Sequence, residues 1–485
     1  MCKLESGKSC GVSRRTFLQF TGTAAAAGLS LGLSRAAEAG ASQGVRGAQK
    51  GTALVRGAFL YPPTATLKEA GYYSWPGSTF DAEGRQRAYT DEIRKIEQKL
   101  GTRIVIDEKP LDSEADVSRF IEDAKSSNAD GLLLIPFKKG HWPHVTRIVD
   151  TAGLPSVIVA TLGVLLVDHI NELHEKPGVY LISSLDNFDA VEYGMRMIRT
   201  ACRMKNGRIL NIDGSETKET NVPCIGTQIR TIPHERFYEA YRRTEPTDQV
   251  RKLAQAYLKG AQEMVEPAES DVLESAKCYF AFKQLLAEEE ADALMMNCLP
   301  GLQKPHKHVP PCMGFMSLRD EGIPAGCQAD LNATLTLMLV QELFGRPGFQ
   351  QNASMDTEKN LYFGAHCTSP SKMNGAGAPT EPYILRSHAE AGWGCVPRVL
   401  FPKGQEVTMA LYLSGEAPQM LVYTGEVVDC PPIPPAGGCR TNIEMTINEV
   451  KDVCDVKGMH QVIFYGNCAK QLHAFCQLYN IPVAV

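Results

Sequence analysis

Apolar and polar positions along the chain follow two different rhythms, and the change falls near residue 346. From 52 to about 170, short apolar runs alternate with stretches of helical period. Ala53–Leu60 is strand-like and ends at a Pro-Pro turn. Residues 84–100 carry helical periodicity and stop at Gly101, and 113–126 form an amphipathic segment opened by Ser113 with acids in its first turns. Arg103–Ile106, Leu132–Ile135 and Ser156–Ala160 read as strands, the last two fully apolar. Such runs suit a parallel sheet covered on both faces. A second round follows, with strands at Val179–Ile182, Arg208–Ile212 and Ala293–Met296. Helices are expected over 187–204, about 247–289 and Leu331–Phe344, with 213–235 a polar loop. Beyond 346 the period becomes two, at Leu361–Ala365, Val407–Tyr412 and Met420–Tyr423. Gln461–Tyr465 is a last strand before a helix at 468–478. The expected fold class is α/β: two open, Rossmann-like α/β domains at 51–175 and 176–345, then a mostly antiparallel β domain at 346–485.

The first 39 residues break this pattern. Ser13-Arg14-Arg15-Thr16-Phe17-Leu18 resembles a twin-arginine export motif, Phe20–Leu33 is mildly apolar, and Ala37-Glu38-Ala39 fits a small-x-small cleavage site. The apolar stretch is too short to anchor a membrane, and no later segment holds eighteen uninterrupted apolar residues. A periplasmic or secreted protein with no membrane span after cleavage is expected. Cleavage removes five cations and two anions, moving the net charge from −5 to about −8. A mildly acidic chain without basic runs has no general attraction for nucleic acid. Two of the fifteen cysteines, Cys2 and Cys10, lie in the leader. The odd remainder, without any CxxC, reads mostly as small buried apolar residues.

Nucleotide-binding signatures are absent: no GxGxxG follows a strand and no GxxxxGK[ST] occurs. Cys298, His306, His308 and Cys312 mix thiols and imidazoles, but their spacing matches no common zinc finger. The Pro-rich stretch they occupy reads better as a loop lining a cleft, with His306 or His308 meeting a substrate.

Pro311-Cys312, Asp320-Glu321-Gly322, Ala325-Gly326-Cys327-Gln328-Ala329-Asp330, Gly345-Arg346-Pro347-Gly348-Phe349 and His366-Cys367 follow in order. Gly404-Gln405-Glu406-Val407-Thr408 and Met459-His460-Gln461-Val462, then Tyr465-Gly466-Asn467, come after. This series resembles the L-fucose/L-arabinose isomerase superfamily, and most of all its exported, isomerase-like branch. The resemblance implies an aldose–ketose isomerase and a homo-oligomer, with a sugar as substrate. It also implies a divalent cation, typically manganese, held by a Glu, an Asp and a His. By position these fall on Gln328, Asn352 and His460, with His366 nearby as a second imidazole. Two of the three are amides. A unit anion about 4 Å from a dication gains roughly 8 kcal/mol at an effective dielectric near 20, before desolvation. An amide contributes only its dipole, and it takes up no proton near neutral pH. Asp330 and Asp356 lie close enough in sequence to take over a ligand role, although Asp330 is also placed to cap the 331–344 helix and Asp356 to sit in a turn. Two readings follow: an isomerase with an altered site, or a non-catalytic carbohydrate-binding protein on the same scaffold.

Overall fold

The computed structural model of the protein describes residues 51–70, 79–160, 164, 167–184, 186–432 and 438–485. The expected export segment at 1–39 lies outside them. The described residues carry two parallel-rich sheets and an antiparallel β region, as the change of rhythm predicts.

The first sheet has five parallel strands in the spatial order Arg103–Ile106, Leu54–Leu60, Gly131–Pro136, Ser156–Ala160 and Val179–Ser183. Its inner strands are apolar because helices cover both faces. The Ala82–Leu100 and Phe188–Asn206 helices pack on one side through Tyr89, Ile93, Met195 and Ile198. Glu114–Ser126 and Trp142–Ala152 pack on the other through Val117, Phe120, Val145 and Ile148. The boundary expected at 175 needs correction. Val179–Ser183 pairs with Ser156–Ala160, so it closes the first sheet instead of opening the second.

The second sheet runs Ala325–Cys327, Ala293–Met296, Arg208–Ile212, Gln228–Ile232 and Lys218–Asn221, with only the last strand antiparallel. Two of these strands fall inside the stretch expected to be a polar loop. The long helix expected over 247–289 is two, Asp248–Gly260 and Glu269–Glu288, separated by the short strand Glu263–Met264.

The C-terminal sheet has the path Phe349–Gln350, Val462–Tyr465, Glu406–Leu413, Gln419–Asp429, Thr441–Met445, Leu361–His366 and Asn352–Asp356. The first and last strands of this path are one stretch of chain interrupted only at Gln351. The sheet therefore closes on itself as a barrel, filled by alternate side chains such as Phe349, Tyr362, Met409, Tyr423, Ile443 and Ile463. The Leu331–Phe344 helix lies outside it. Asp330 caps that helix, Gly345 ends it in a left-handed conformation, and Leu337 and Ala333 meet Val462.

No helix among the described residues is long and apolar enough to cross a membrane.

Candidate functional site

In open α/β sheets, ligand-facing side chains collect at the carboxyl ends of parallel strands. The second sheet follows this rule. Its edge strand ends at Cys327, and the chain turns over Gln328 and Ala329 before Asp330 starts the helix. The Asp330 amide donates to the Cys327 carbonyl at 3.3 Å, and both central residues have positive φ, +56° and +52°. Such a turn normally uses Asn-Gly, because a side chain in the left-handed region costs about 1–2 kcal/mol. A third positive φ, +54°, falls on His460. Residues held in this region cluster where surrounding structure over-determines them, often at functional sites.

The three strained residues belong to one neighbourhood. His460 Nδ1 lies 2.9 Å from Asp330 Oδ2, and the His460 ring stands 5.7 Å from that of His366, nearly edge to face. A carboxylate only accepts, so Nδ1 of His460 carries a proton, and in the neutral tautomer this leaves Nε2 as an acceptor. His366 has the opposite arrangement. Its Nδ1 accepts the Cys367 backbone N–H at 3.0 Å, so the neutral ring carries its proton on Nε2. Burial holds His366 neutral by pushing its pKa down to about 4. Both Nε2 atoms are buried, and neither meets a partner among the described residues. With both rings neutral, these neighbouring imidazoles offer one donor and one acceptor.

A buried hub fixes this pair. Arg319, 1 % exposed, donates to the carbonyls of Ala325 and Thr368 and to Gln350 Oε1. Gln350 in turn accepts the Cys327 N–H at 2.8 Å and donates to the Cys327 carbonyl at 3.1 Å. The strand end before Gln328 and the strand end carrying His366 are held by the same two side chains.

Gln328, Asp330, His366 and His460 come from elements that meet here, and Asn352 lies on the stretch that carries Gln350 and pairs with the His366 strand; Asp356, His306 and His308 do not join them. Asn352 pairs with Ala365, and Ala365 with Asn442, whereas His366 pairs with Thr441. Directly opposed residues share a face and neighbours alternate. Asn352 therefore faces out of the barrel, on the opposite side of the sheet from His366 and on the same side as Gln350. Gln351 takes the inner face instead, where it accepts the Tyr362 hydroxyl at 2.9 Å. Asp356 ends the outer strand, where it accepts the Lys359 N–H and pairs with its ammonium. Four residue steps along the strand separate it from Asn352, about 13 Å. His308 is 3 % exposed and packed against Phe237 and Tyr238, with burial pushing its pKa down to about 4. It is a core residue. His306 is exposed, its Nδ1 bonded to the Leu302 carbonyl and its ring 4.3 Å from that of Trp393. No group of three metal-capable side chains forms among the described residues, at the Cys298–Cys312 stretch or elsewhere.

A cluster that sequence reasoning missed lies on the same carboxyl edge. Asp213 and Asn297 follow two neighbouring strands and bond at 3.4 Å, and His234 Nε2 donates to the Asn297 carbonyl at 2.9 Å. The preceding strand stays on one side of the sheet while the chain crosses to the other, which makes this a topological switch point. The signal was available in principle: both residues directly follow strands that the sequence shows. Next to Asn297, Cys298 hydrogen-bonds Cys327, so this cluster borders the Gln328 turn.

Scanning the chain against protein-family models gave no match, and a search of curated proteins gave none.

The manganese implied by the resemblance can be tested against these donors. Both oxygens of Asp330 are engaged, one by His460 and one by the Ala333 N–H at 2.8 Å. His366 presents a proton, not a lone pair, unless it gives up its backbone bond. Asn352 faces the opposite side of the sheet from His366 and brings only an amide. What remains is one imidazole nitrogen and the neutral amide of Gln328. A hard dication seeks several oxygen donors with charge among them, so these residues do not fit manganese.

Proposed function

We propose that this protein binds a small polyhydroxylated ligand, a sugar, without isomerising it. The single observation that carries this reading is the buried donor–acceptor pair made by His366 Nε2 and His460 Nε2. A sugar hydroxyl is itself one donor and one acceptor, and a buried polar atom without a partner costs about 1–3 kcal/mol. A hydroxyl bound between the two Nε2 atoms would satisfy both rings at once. Gln328, at the neighbouring turn, adds an amide of the same dual character. Asp330, the carboxylate bonded to His460, has both oxygens engaged already. Export by the twin-arginine route belongs to the same proposal and rests on the N-terminal motif alone.

A second reading, the metal-dependent isomerase, draws on the Asp330–His460 bond. A carboxylate behind an imidazole is the usual support of a metal-bound histidine. The two separate in one experiment. The purified protein is analysed for bound manganese and zinc, incubated with aldopentoses and 6-deoxyaldohexoses, and assayed for ketose and for thermal shift. Substoichiometric metal, no ketose and a raised Tm with at least one sugar are expected. Stoichiometric metal with turnover establishes the isomerase and ends the binding proposal.

A further inference from the structure

Thirteen cysteines are free among the described residues, and most are buried. Cys367 and Cys439 differ from the rest in how they are placed. Cys367 lies in a small buried cluster with Cys312 and Val396, and Cys439 packs against it; the side chain of His388 and the backbone N–H of Arg440 also face the Cys367 sulfur. The sheet register explains the meeting. His366 pairs with Thr441 in the antiparallel ladder, so Cys367 and Cys439 lie just beyond the last paired row of two adjacent strands. His388 is held by its own turn, its Nδ1 accepting the Ala391 N–H at 3.2 Å, which leaves Nε2 for Cys367. Glu390 adds a negative charge near both His388 and Cys439. Access is asymmetric. Cys367 is 2 % exposed, whereas Cys439 is only partly buried.

We propose that Cys367 and Cys439 are a redox-active dithiol that closes to a disulfide by exchange with a small disulfide oxidant. Cys439 is the accessible member, and its thiol is held protonated by the neighbouring Cys367 sulfur; it attacks the oxidant RSSR in the minor form in which the shared proton sits on Cys367, forming a mixed disulfide and releasing one RS⁻, which takes up that proton as RSH. Cys367, its sulfur supported as thiolate by His388 and the Arg440 N–H, then attacks the Cys439 sulfur. The bond to R breaks and the second R leaves as thiolate, which takes up a proton from solvent. Two protein thiols are oxidised and one external disulfide is reduced to two thiols. Nucleophilic thiolate is what such exchange requires, and convergent donors favour it. The product staples the strand end beside His366 to the segment entering Thr441–Met445. Cys298 and Cys327 form a second hydrogen-bonded thiol pair, but both are buried, at 2 % and 4 %, without an accessible member. They serve as an internal control and stay reduced under mild oxidant. The proposal does not depend on sugar binding.

The test uses the full-length protein, reduced, freed of reductant and incubated with oxidised glutathione. Acid quenching, alkylation in denaturant and peptide mapping by mass spectrometry follow. One intramolecular disulfide joining the Cys367 and Cys439 peptides is expected. Cys367→Ser leaves glutathione on Cys439, and Cys439→Ser leaves Cys367 alkylatable. His388→Gln slows closure about tenfold, with the mixed disulfide accumulating at Cys439. The wild-type map decides by itself, so a variant that fails to fold does not weaken the test. Cys367 and Cys439 both alkylated while other cysteines pair, or glutathione persisting on wild-type Cys439, overturns the proposal.

Discussion

His308 shows how far a single residue can depart from the role its type suggests. Histidine in a Pro-rich loop reads as a candidate for substrate contact, yet this ring fills a space between Phe237, Tyr238 and the backbone of Gly301. A Cβ at Gly301 would stand 2.1 Å from His308 Nε2, so the glycine is needed for close approach. The buried ring stays neutral. Its folded pKa, about 4, lies below the unfolded value near 6.5, so it contributes stability above the unfolded pKa. That contribution is lost as pH falls from about 6.5 towards about 4. The expected loss is on the order of 2–3 kcal/mol. His308→Leu should flatten the fall of Tm between pH 6.5 and 4.5, whatever it does to stability at neutral pH; an unchanged slope counts against a buried neutral ring. Ala329 makes the opposite case. Its φ of +52° is one that glycine adopts without cost, so Ala329→Gly should raise the urea midpoint by the equivalent of about 1 kcal/mol. A lower midpoint would show that the turn is not strained.

At the level of elements, the decisive contact is between the Ala325–Cys327 strand and the Leu331–Phe344 helix that follows it. Gly326 lets them close: a Cβ there would stand 1.9 Å from Thr334 Oγ1. Gly326→Ala should destabilise by about 1–3 kcal/mol, the usual range for overpacking. It should also weaken any sugar response, because the displaced strand carries the Gln328 turn. Denaturant titration and thermal shift on the same variant check both parts; a variant as stable as wild type would refute the contact. Much of this architecture was readable. Leu132–Ile135 and Ser156–Ala160 announce buried parallel strands because two covered faces leave no polar alternation. Ser113 and Gly101 mark helix ends because their chemistry is local. The edge hairpin was not readable, since Lys218–Asn221 is exposed at every position and carries no apolar signal. Sheet membership of Val179–Ser183 was hidden as well, because strand character does not tell which neighbour a strand pairs with. The face that Asn352 takes was not readable either. In a strand, one residue changes the face, and the break at Gln351 cannot be seen from composition.

For the whole molecule, the core gives the strongest expectation. One apolar cluster runs from Val55 in the first sheet through Ile198 and Met338 to Phe464 and Phe475 near the C-terminus. The described α/β and β parts therefore share buried surface, and the Leu331–Phe344 helix contributes to both. The full chain should unfold in one calorimetric transition, with a chain ending at residue 344 exposing Leu335, Met338 and Leu343 and failing to stay soluble. Two resolved transitions, or a well-folded truncation, would contradict a shared core.

The barrel seam has a consequence of its own. Phe349–Asp356 pairs with Val462–Ile463 at one end and with Leu361–Ala365 at the other. A slip at either seam would have to be matched at the other, while Gln351 stays pinned between them. His366 and His460 each follow or precede one of those two partner strands. Ring closure thus sets their spacing together with the hub and Asp330 that hold them. A scaffold built this way can exchange an acid for an amide beside the histidines and keep its geometry, which makes loss or replacement of an activity a small evolutionary step.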